Sequence, residues 1–382
     1  MRTPLCDLLG VEFPIIAFSH CRDVVAAVTK AGGFGVLGAM AFTPEELETE
    51  LNWIENEIGD RPYGIDVLLP QKYVGSDAGG LSMGELKNLL PDEQRRFLDD
   101  MMVRYEVPEL PDGDAGRGRG DGDIALAGPG VHRLVEIALA HPIRLIASAL
   151  GSPPPDLVEN AHERGILVAA LAGTKQHAMR HKAIGVDIIV AQGYEAGGHT
   201  GEIATMVLVP EVVDAVAPTP VVAAGGIARG RQMAAAMALG AQGVWTGSVW
   251  LTTEEAETHP VIKEKFLAAT SSDTVRSRCS TGKPARQLRT AWTDEWENPA
   301  NPDPLPMPLQ PILTARAQER IRRSSNAPGS GASQLATYFV GQVVGSMNKV
   351  KPARQVVLEI VDEYIDAASA LSDGLSALGA DQ

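Results

Sequence analysis

The sequence predicts an α/β fold in which eight parallel strands and the helices after them close into a (β/α)8 barrel, the TIM barrel. Short apolar runs alternate with amphipathic helical patterns, which is typical of a parallel sheet with crossover helices. Eight such units are present, and this number favours a closed barrel over an open sheet. With 382 residues, of which 45% are hydrophobic, the chain can bury a barrel core and an appendage.

The predicted strands are short, continuous apolar runs, each followed by a helical pattern. They are Ile15–Ala17, Phe34–Leu37, Gly64–Leu69, Ile143–Ser148, Ile166–Leu171, Asp187–Val190, Pro220–Ala223 and Gly243–Thr246. The helix after the second strand is well marked, because Thr43 suits its N-cap and Pro44 its first turn. Several helices end at glycines that favour a left-handed C-cap, namely Gly32, Gly165, Gly185 and Gly240.

Two regions interrupt this regular spacing. We expect residues 1–270 to form the barrel, with an insertion at 71–128 after the third strand, and residues 271–382 to form a mostly helical extension. A loop after a barrel strand emerges on the catalytic face and could act as a lid, but the glycine-rich tract 111–123 favours a flexible loop. The last helix, predicted from Ala353 to Leu371, carries an apolar stripe that should pack on the barrel: Val356, Val357, Ile360, Val361, Tyr364 and Ile365.

Composition excludes several classes of function. The formal net charge of −15 disfavours nucleic acid and anionic membranes as partners, and favours a small-molecule substrate. Three cysteines without paired spacing indicate a reducing compartment and no metal site. The chain has neither a signal-peptide core nor an apolar run long enough to span a membrane, so we expect a cytoplasmic protein. A homo-oligomer stays open.

The segment Ala191–Gly201 follows the sixth strand and places four glycines around His199. Glycines let a backbone approach a ligand closely and supply turns with exposed N–H groups. The seventh strand ends in Gly225 and Gly226, and the helical pattern after it offers free N-terminal amides to an anion. The eighth strand ends in Gly247 and Ser248. Together these glycines are typical of the phosphate site that barrels build after their last two strands.

These motifs resemble the nitronate monooxygenase family, also called 2-nitropropane dioxygenase-like flavoproteins, which includes the FMN-dependent enoyl-acyl carrier protein reductase II. The resemblance covers essentially the whole chain and is most specific in Ala191–Gly201, Ala223–Ile227 and Gly240–Ser248. It implies FMN at the barrel mouth, with its phosphate at Gly225, Gly226, Gly247 and Ser248. Residues Gln192, Gly193, Gly197 and Gly198 would then line the path of the ribityl chain and phosphate.

The sequence departs from the family pattern at three places. Where the family more often has asparagine near the flavin ring, this chain has Asp66, which could still accept from the ring N3–H. The first strand ends with Ala17 and Phe18 in place of the usual flavin-contacting residues. Ala149 stands where family members that use neutral nitroalkanes have a histidine base. Since a positioned base contributes about 10²–10⁴-fold, we expect poor turnover of neutral nitroalkanes.

His199 is the candidate catalytic residue, either donating a proton to a substrate carbon or hydrogen-bonding an anionic nitronate. The alternative is a histidine that only tethers the glycine loop. His20 is a second candidate, and Lys175 is expected either on the catalytic face, near flavin or substrate, or pointing to water. We expect four other histidines to be solvated, His162, His177, His181 and His259, and two tryptophans to fill the core around the eighth strand, Trp245 and Trp250.

Three functions are compatible with these residues. The first is an FMN-dependent monooxygenase that oxidises alkyl nitronates with O2. The second is an NAD(P)H-dependent flavin reductase of an activated C=C bond such as an enoyl thioester, in which the nicotinamide docks over the flavin because no separate dinucleotide fingerprint is present. The third is a flavin-binding protein without turnover. The natural substrate is not readable from the sequence.

Overall fold

The computed structural model describes residues 1–69, 74, 81–111, 129–327 and 329–380. Eight parallel strands close into a barrel in chain order, which confirms the predicted (β/α)8 fold. The barrel strands are β1 (Ile15–Ser19), β2 (Phe34–Gly38), β3 (Gly64–Leu68), β4 (Leu145–Ala149), β5 (Leu167–Ala172), β6 (Ile188–Gln192), β8 (Val221–Ala224) and β9 (Gly243–Thr246). Pairing of Ala17 in β1 with Thr246 in β9 closes the ring.

Helices surround the barrel and build the parts added to it. They are α1 (Pro4–Leu9), α2 (Arg22–Lys30), α3 (Pro44–Ile58), α4 (Met83–Asn88), α5 (Asp92–Arg104), α6 (Pro129–Ala140), α7 (Pro155–Glu163), α8 (Lys175–Ala183), α9 (Thr205–Val216), α10 (Gly230–Ala238), α11 (Pro260–Ala268), α12 (Ala291–Glu297), α13 (Leu309–Ser324), α14 (Gly331–Leu335) and α15 (Ala353–Ala380). None of the helices in the described part of the chain combines the length and apolar character needed to cross a membrane.

The barrel interior is filled by apolar side chains from the strands, as expected for parallel strands buried on both faces. Leu5 and Leu9 of α1 join this interior cluster. Because Leu5 also lies against Gly243, the first residue of β9, α1 covers the end of the barrel where the strands begin. The opposite end, where the strands finish, is left for a site.

Local sequence signals place the barrel elements as predicted. Thr43 caps α3 by accepting from the amide of Glu46, whose carboxylate accepts in return from the amide of Thr43. The four helix-ending glycines have positive φ, between 70° at Gly165 and 97° at Gly240, where a side chain would be strained. These glycines end the helices two or three residues before the next strand begins.

The last helix, α15, packs against α10 and α2, as the apolar stripe predicted. It runs to Ala380, beyond the predicted end at Leu371. The prediction for Ile365 was wrong, because its side chain is 54% exposed. None of residues 362–373 of α15 is buried, so this part of the helix makes less contact with the barrel than residues 353–361 do. At the crossing, a Cβ on Gly230 would overlap the α15 backbone at Ile360 and Tyr364.

The insertion after β3 contains two helices that the sequence analysis did not predict, α4 and α5. Ser82 and Glu85 cap α4 reciprocally, and both helices pack on α13 of the C-terminal part. Phe97 of α5 meets Trp296 of α12 edge to face, with ring centroids 4.9 Å apart. The glycine tract proposed as a flexible loop or lid lies outside the described residues, apart from Pro111.

A second sheet, also unpredicted, lies over the barrel mouth. It joins β10 (Thr274–Ser277), β11 (Ala285–Leu288) and the two-residue strand β7 (Gly198–His199). Strand β11 pairs with β7 in antiparallel register, so Ala285 lies opposite His199. Because β7 belongs to the loop after β6, the C-terminal part contributes directly to the end of the barrel where the strands finish. The division into units 1–270 and 271–382 stays a prediction.

Candidate active site

The loop after β6 is shaped by close backbone approaches. A Cβ on Gly193 would overlap Thr205, the first residue of α9, so only glycine fits there. Glu195 accepts hydrogen bonds from the amide and hydroxyl of Thr205 at 3.0 and 2.9 Å, which caps α9 with a carboxylate. Gln192 ends β6 beside Ala224, at the start of this loop.

The C-terminal part holds the same loop from the other side. A Cβ on Gly197 would lie 2.8 Å from the nitrogen of Gly341, too close for a side chain. The amide of Gly341 donates to Ser248 Oγ at 2.8 Å, and the amide of Gln342 donates to the carbonyl of Glu195 at 2.9 Å. The loops after β6 and β9 are thus fixed to one another through residues 341 and 342.

Arg286 anchors the second sheet to this loop. Its side chain is buried and donates to the carbonyl of Tyr194 through two nitrogens, at 3.0 and 3.2 Å. The guanidinium also lies 4.3 Å from the centroid of the Tyr194 ring. Hydrogen bonding and a cation–π contact therefore combine to hold β11 against the glycine loop.

Backbone amides converge where β8 and β9 end. Within the described part of the chain, the amides of Gly225, Gly226, Gly247 and Ser248 donate no hydrogen bond. Gly225 and Gly226 have positive φ, 96° and 70°. A Cβ on Gly247 would find only the Phe18 ring, at 3.9 Å, so space is open above this residue. Free amides beside open space suit a phosphate, and these residues fit the phosphate of FMN.

One expectation about this anion site was wrong. The N-terminus of α10 does not offer a free amide at Gly230, because that amide donates to Glu363 Oε2 of α15 at 2.9 Å. Glu363 also pairs with Arg229 at 2.7 Å and with Arg231 at 2.6 Å. The positive end of a helix attracts a carboxylate, and the chain supplies its own from α15. The amide of Gly230 is therefore not available to a bound anion.

His199 is hydrogen-bonded through Nε2 to Thr281 Oγ1 at 2.9 Å. The Thr281 hydroxyl donates its hydrogen to the carbonyl of Lys283 at 3.1 Å. Its oxygen can therefore only accept from His199, so the imidazole carries its proton on Nε2. Nδ1 is left as a lone-pair acceptor without a hydrogen-bond partner among the described residues.

Burial, together with the positive charge of Lys283, lowers the pKa of His199 to about 4. The ring is neutral at pH 7, because burial disfavours its charged form. A neutral His199 with a bare Nδ1 accepts a hydrogen bond rather than donating one. Proton donation by the charged imidazolium form is therefore disfavoured at neutral pH, and the catalytic role of His199 stays a prediction.

Asp66 is the third of the five residues of β3 and is 7% exposed. Burial raises the pKa of Asp66 to about 8, and the carboxyl group has no hydrogen bond or ion pair with a described residue. At neutral pH it is thus largely a neutral carboxylic acid, with one donor and one acceptor. In this form Asp66 can both donate and accept a hydrogen bond. The asparagine that the family more often has at this position can do the same.

The remaining predicted site residues fall into two groups. Ala17 and Phe18 belong to β1, and the Phe18 ring lies near Gly247 and contacts His20 edge to face at 5.1 Å. His20 Nδ1 lies 3.2 Å from the carbonyl of Gly38. Lys175 begins α8 and is exposed, which is the solvated alternative left open by the sequence.

The prediction that four other histidines are solvated was wrong for His181. Its side chain is buried, with Nε2 bonded to the carbonyl of Leu171 and Nδ1 to Ser152 Oγ. It therefore links the end of β5 to the loop after β4. Both tryptophans are buried as expected, and Trp250 Nε1 donates to the carbonyl of Thr246.

The three cysteines are free and buried. Cys21 lies near Asp23 and Glu257, with potential ligand atoms within 4.8 Å of one another. Its thiol donates to the carbonyl of Glu255, and burial raises the pKa of Cys21, which keeps the sulfur protonated. A protonated thiol is a poor metal ligand.

Comparisons with known proteins cover nearly the whole chain. The family model described as nitronate monooxygenase matches residues 2–363. A Mycobacterium tuberculosis protein named "Putative monooxygenase" is 64% identical over 97% of this chain and 98% of its own length. A "Probable nitronate monooxygenase" of Staphylococcus saprophyticus is 29% identical over 94% of this chain and 99% of its own.

Solved structures agree with this relationship. Nitroalkane oxidase from Streptomyces ansochromogenes superposes with a TM-score of 0.77 at 28% identity, covering 96% of this chain and 99% of that one. FabK from Thermotoga maritima superposes with a TM-score of 0.70 at 27% identity, covering 98% and 99%. The chain belongs to the nitronate monooxygenase family and is an oxidoreductase.

Proposed function

We propose that this protein is an FMN-dependent enzyme that oxidises alkyl nitronates with O2. The observation that carries the proposal is the cluster of free amides at Gly225, Gly226, Gly247 and Ser248 on the same barrel face as His199. These amides suit a phosphate, and the neighbouring mouth is bordered by an acceptor nitrogen and by a half-buried cation, Lys283.

The four amides would hold the FMN phosphate, and Gln192, Gly193, Gly197 and Gly198 would border the ribityl chain. Asp66 would meet the ring as a neutral acid, able both to donate and to accept a hydrogen bond. When bound, FMN supplies the redox chemistry by accepting electrons from the substrate and passing them to O2. The protein supplies placement, exclusion of water and the charge distribution around the substrate.

The residues favour a preformed anion over a neutral nitroalkane. Ala149 ends β4 and cannot take a proton from the substrate. His199 has a free Nδ1, but its pKa of about 4 makes it a weak base. A nitronate has already lost its α-proton and needs neither residue for deprotonation. We therefore expect efficient oxidation of nitronates and poor turnover of neutral nitroalkanes.

Anaerobic mixing tests the proposal. The FMN-loaded protein is mixed with propyl-1-nitronate, with neutral 1-nitropropane or with NADH, and bleaching of the flavin absorbance is followed. We expect rapid bleaching by the nitronate and slow bleaching by the nitroalkane, with O2 consumption once air is admitted. A protein that takes up no FMN, or whose bound flavin is not reduced by nitronate, would contradict the proposal.

A second candidate is an NAD(P)H-dependent reductase of an activated C=C bond. The observation in its favour is the close superposition on FabK, an enoyl reductase, together with Ala149 in place of a base. Bleaching by NADH or NADPH alone, followed by reoxidation with an enoyl thioester, would establish this function instead. Bleaching by none of these compounds would leave a flavin-binding protein without turnover.

A further inference from the structure

The second sheet concentrates positive charge in a chain whose net charge is −15. Five cationic residues fall between positions 276 and 289, on β10, β11 and the turn that joins them: Arg276, Arg278, Lys283, Arg286 and Arg289. Since β11 pairs with β7, this hairpin lies beside His199 at the barrel mouth. The local charge is thus opposite in sign to that of the whole protein.

The four arginines of this hairpin are all engaged. Arg278 donates to the carbonyls of Gly282 and Pro304, and Arg286 donates to Tyr194. Arg276 lies 3.5 Å from Glu202, and Arg289 lies 3.4 Å from Asp294. Their charges are therefore neutralised or used to hold the hairpin in place.

Lys283 differs from these arginines. It is half-buried, and its ammonium group makes no hydrogen bond or ion pair within the described part of the chain. Thr281 Oγ1 contacts both His199 Nε2 and the backbone of Lys283, so the two residues are neighbours. Burial lowers the pKa of Lys283, and its positive charge contributes to the lowered pKa of His199. A partly buried cation without an internal partner gains stability from an anion that binds next to it.

The turn that carries Lys283 is fixed in position. Gly282 has φ of +79°, and a Cβ there would overlap the backbone of the segment from Leu305 to Met307. Thr281 Oγ1 accepts from the Lys283 amide at 3.3 Å and donates to the Lys283 carbonyl at 3.1 Å. The backbone of Lys283 is therefore held by the same hydroxyl that bonds His199, so the lysine side chain starts from a fixed point beside this histidine.

We infer that Lys283 binds the anionic head of the substrate, a small planar oxyanion such as the nitro group of an alkyl nitronate. The inference deepens the proposed function and rests on it. His199 offers an acceptor nitrogen and would repel an oxyanion, whereas an ammonium group attracts one. Lys283 would thus discriminate a nitronate from the uncharged nitroalkane of the same shape, because its ammonium group attracts the negative charge that only the nitronate carries.

The test uses FMN-loaded protein and inorganic nitrate, a planar oxyanion that is not oxidised. Nitrate binding is measured by calorimetry, which needs no turnover. We expect Lys283→Gln to weaken nitrate binding by about tenfold to a hundredfold, since hydrogen bonds to charged groups contribute about 1.5–3 kcal/mol. Lys283→Arg should retain most of the affinity. Lys349→Gln, at an exposed lysine, makes the same change of net charge and should have no effect.

Steady-state kinetics give a second readout. In Lys283→Gln the KM for propyl-1-nitronate should rise by a similar factor, whereas the KM for neutral 1-nitropropane should rise less, because an uncharged nitro group gains less from the ammonium group. The pKa of His199, followed by the pH dependence of its NMR shift, should rise because a neighbouring positive charge is removed. Lys283→Met keeps most of the aliphatic stem and serves as a replacement if the glutamine variant does not fold.

Three results would overturn the inference while leaving the proposed function intact. They are nitrate affinity equal in Lys283→Gln and in the unmodified protein, an equal loss of nitronate and nitroalkane turnover, and a loss of FMN affinity with nitrate binding preserved. The last would assign Lys283 to the cofactor. Failure of the unmodified protein to take up FMN would instead contradict the proposed function itself.

Discussion

Thr281 Oγ1 lies 2.9 Å from Nε2 of His199, although 82 residues separate the two in the chain. The pairing of β11 with β7 brings them together. Because the hydroxyl hydrogen is committed to the Lys283 carbonyl, the threonine fixes both the orientation and the tautomer of the imidazole. The properties of His199 are thus set by a residue of the C-terminal part.

The first prediction concerns this hydrogen bond. Thr281→Val keeps the shape of the side chain but removes the acceptor, so the imidazole can rotate and exchange its tautomer. We expect the ring NMR shifts of His199 in this variant to move towards the average of the two neutral tautomers. Oxidation of a nitronate needs no proton transfer by His199, so kcat for propyl-1-nitronate should change by less than about tenfold, below what a positioned acid or base contributes. Thr281→Ser keeps the hydroxyl and should keep the ring shifts of the unmodified protein. Unchanged ring shifts in the valine variant would show that the tautomer does not depend on Thr281.

The second prediction concerns pH and Asp66. Its pKa is raised from 3.8 to about 8 in the folded protein, so its contribution to stability is complete below pH 4 and is lost as the pH rises towards 8. Asp66→Asn removes this dependence. The difference in unfolding free energy between the variant and the unmodified protein should therefore grow by up to about 1.4 kcal/mol per pH unit across that window.

Denaturant titrations at pH 5 and pH 8 measure this effect. The control is Asp60→Asn, at an exposed position in the turn directly after α3. It should change the unfolding free energy equally at both pH values. An Asp66→Asn variant with the same pH dependence as the unmodified protein would mean that Asp66 is ionised in the folded state.

The third prediction concerns the proposed phosphate cradle. Gly247→Ala adds a methyl group where only the Phe18 ring lies nearby, so the cofactor-free protein should keep its melting temperature to within a few degrees. The same methyl group occupies space above the free amides and should weaken FMN binding by about tenfold or more, which is about 1.4 kcal/mol. Fluorescence titration with FMN measures the affinity.

Gly84→Ala serves as the control for this change. Gly84 lies in α4, and a Cβ there meets nothing within 4 Å. Alanine should stabilise this helix slightly and leave FMN affinity unchanged. Equal FMN affinity in Gly247→Ala and in the unmodified protein would place the phosphate elsewhere.

The fourth prediction concerns the crossing of α10 and α15. Gly230→Ala forces a methyl group into the backbone of α15, so the two helices must separate. We expect a loss of roughly 3 kcal/mol or more of unfolding free energy, at the upper end of overpacking effects. Thermal and denaturant unfolding measure it. A variant as stable as the unmodified protein would mean that α15 contributes little to the fold.

The barrel could be predicted because its signals are local. Apolar runs such as Ile188–Val190 and glycines such as Gly185 act over a few residues, and these patterns repeat eight times around the ring. The glycines at the ends of β8 and β9, Gly225 and Gly247, could be recognised for the same reason, since a glycine that ends a strand marks a turn whose backbone a ligand can approach.

The second sheet could not be predicted, because it depends on pairing between distant segments. Two residues, Gly198 and His199, are too few to show the alternation of a strand, and nothing near them indicates β11. The roles of Thr281 and Lys283 follow only from that pairing. By contrast, Ser82 and Glu85 carried a readable capping signal for α4, which the sequence analysis missed.

The amide of Gly341 bonded to Ser248 has a consequence for when the proposed flavin could bind. During synthesis all eight barrel strands have left the ribosome long before residue 341 appears. In a nascent chain the barrel strands could thus be complete while residues 341 and 342 are not yet available to hold the loops after β6 and β9. Stable uptake of flavin should therefore occur only after translation is nearly complete, and chains cut short before this residue should stay colourless even where their barrel has formed.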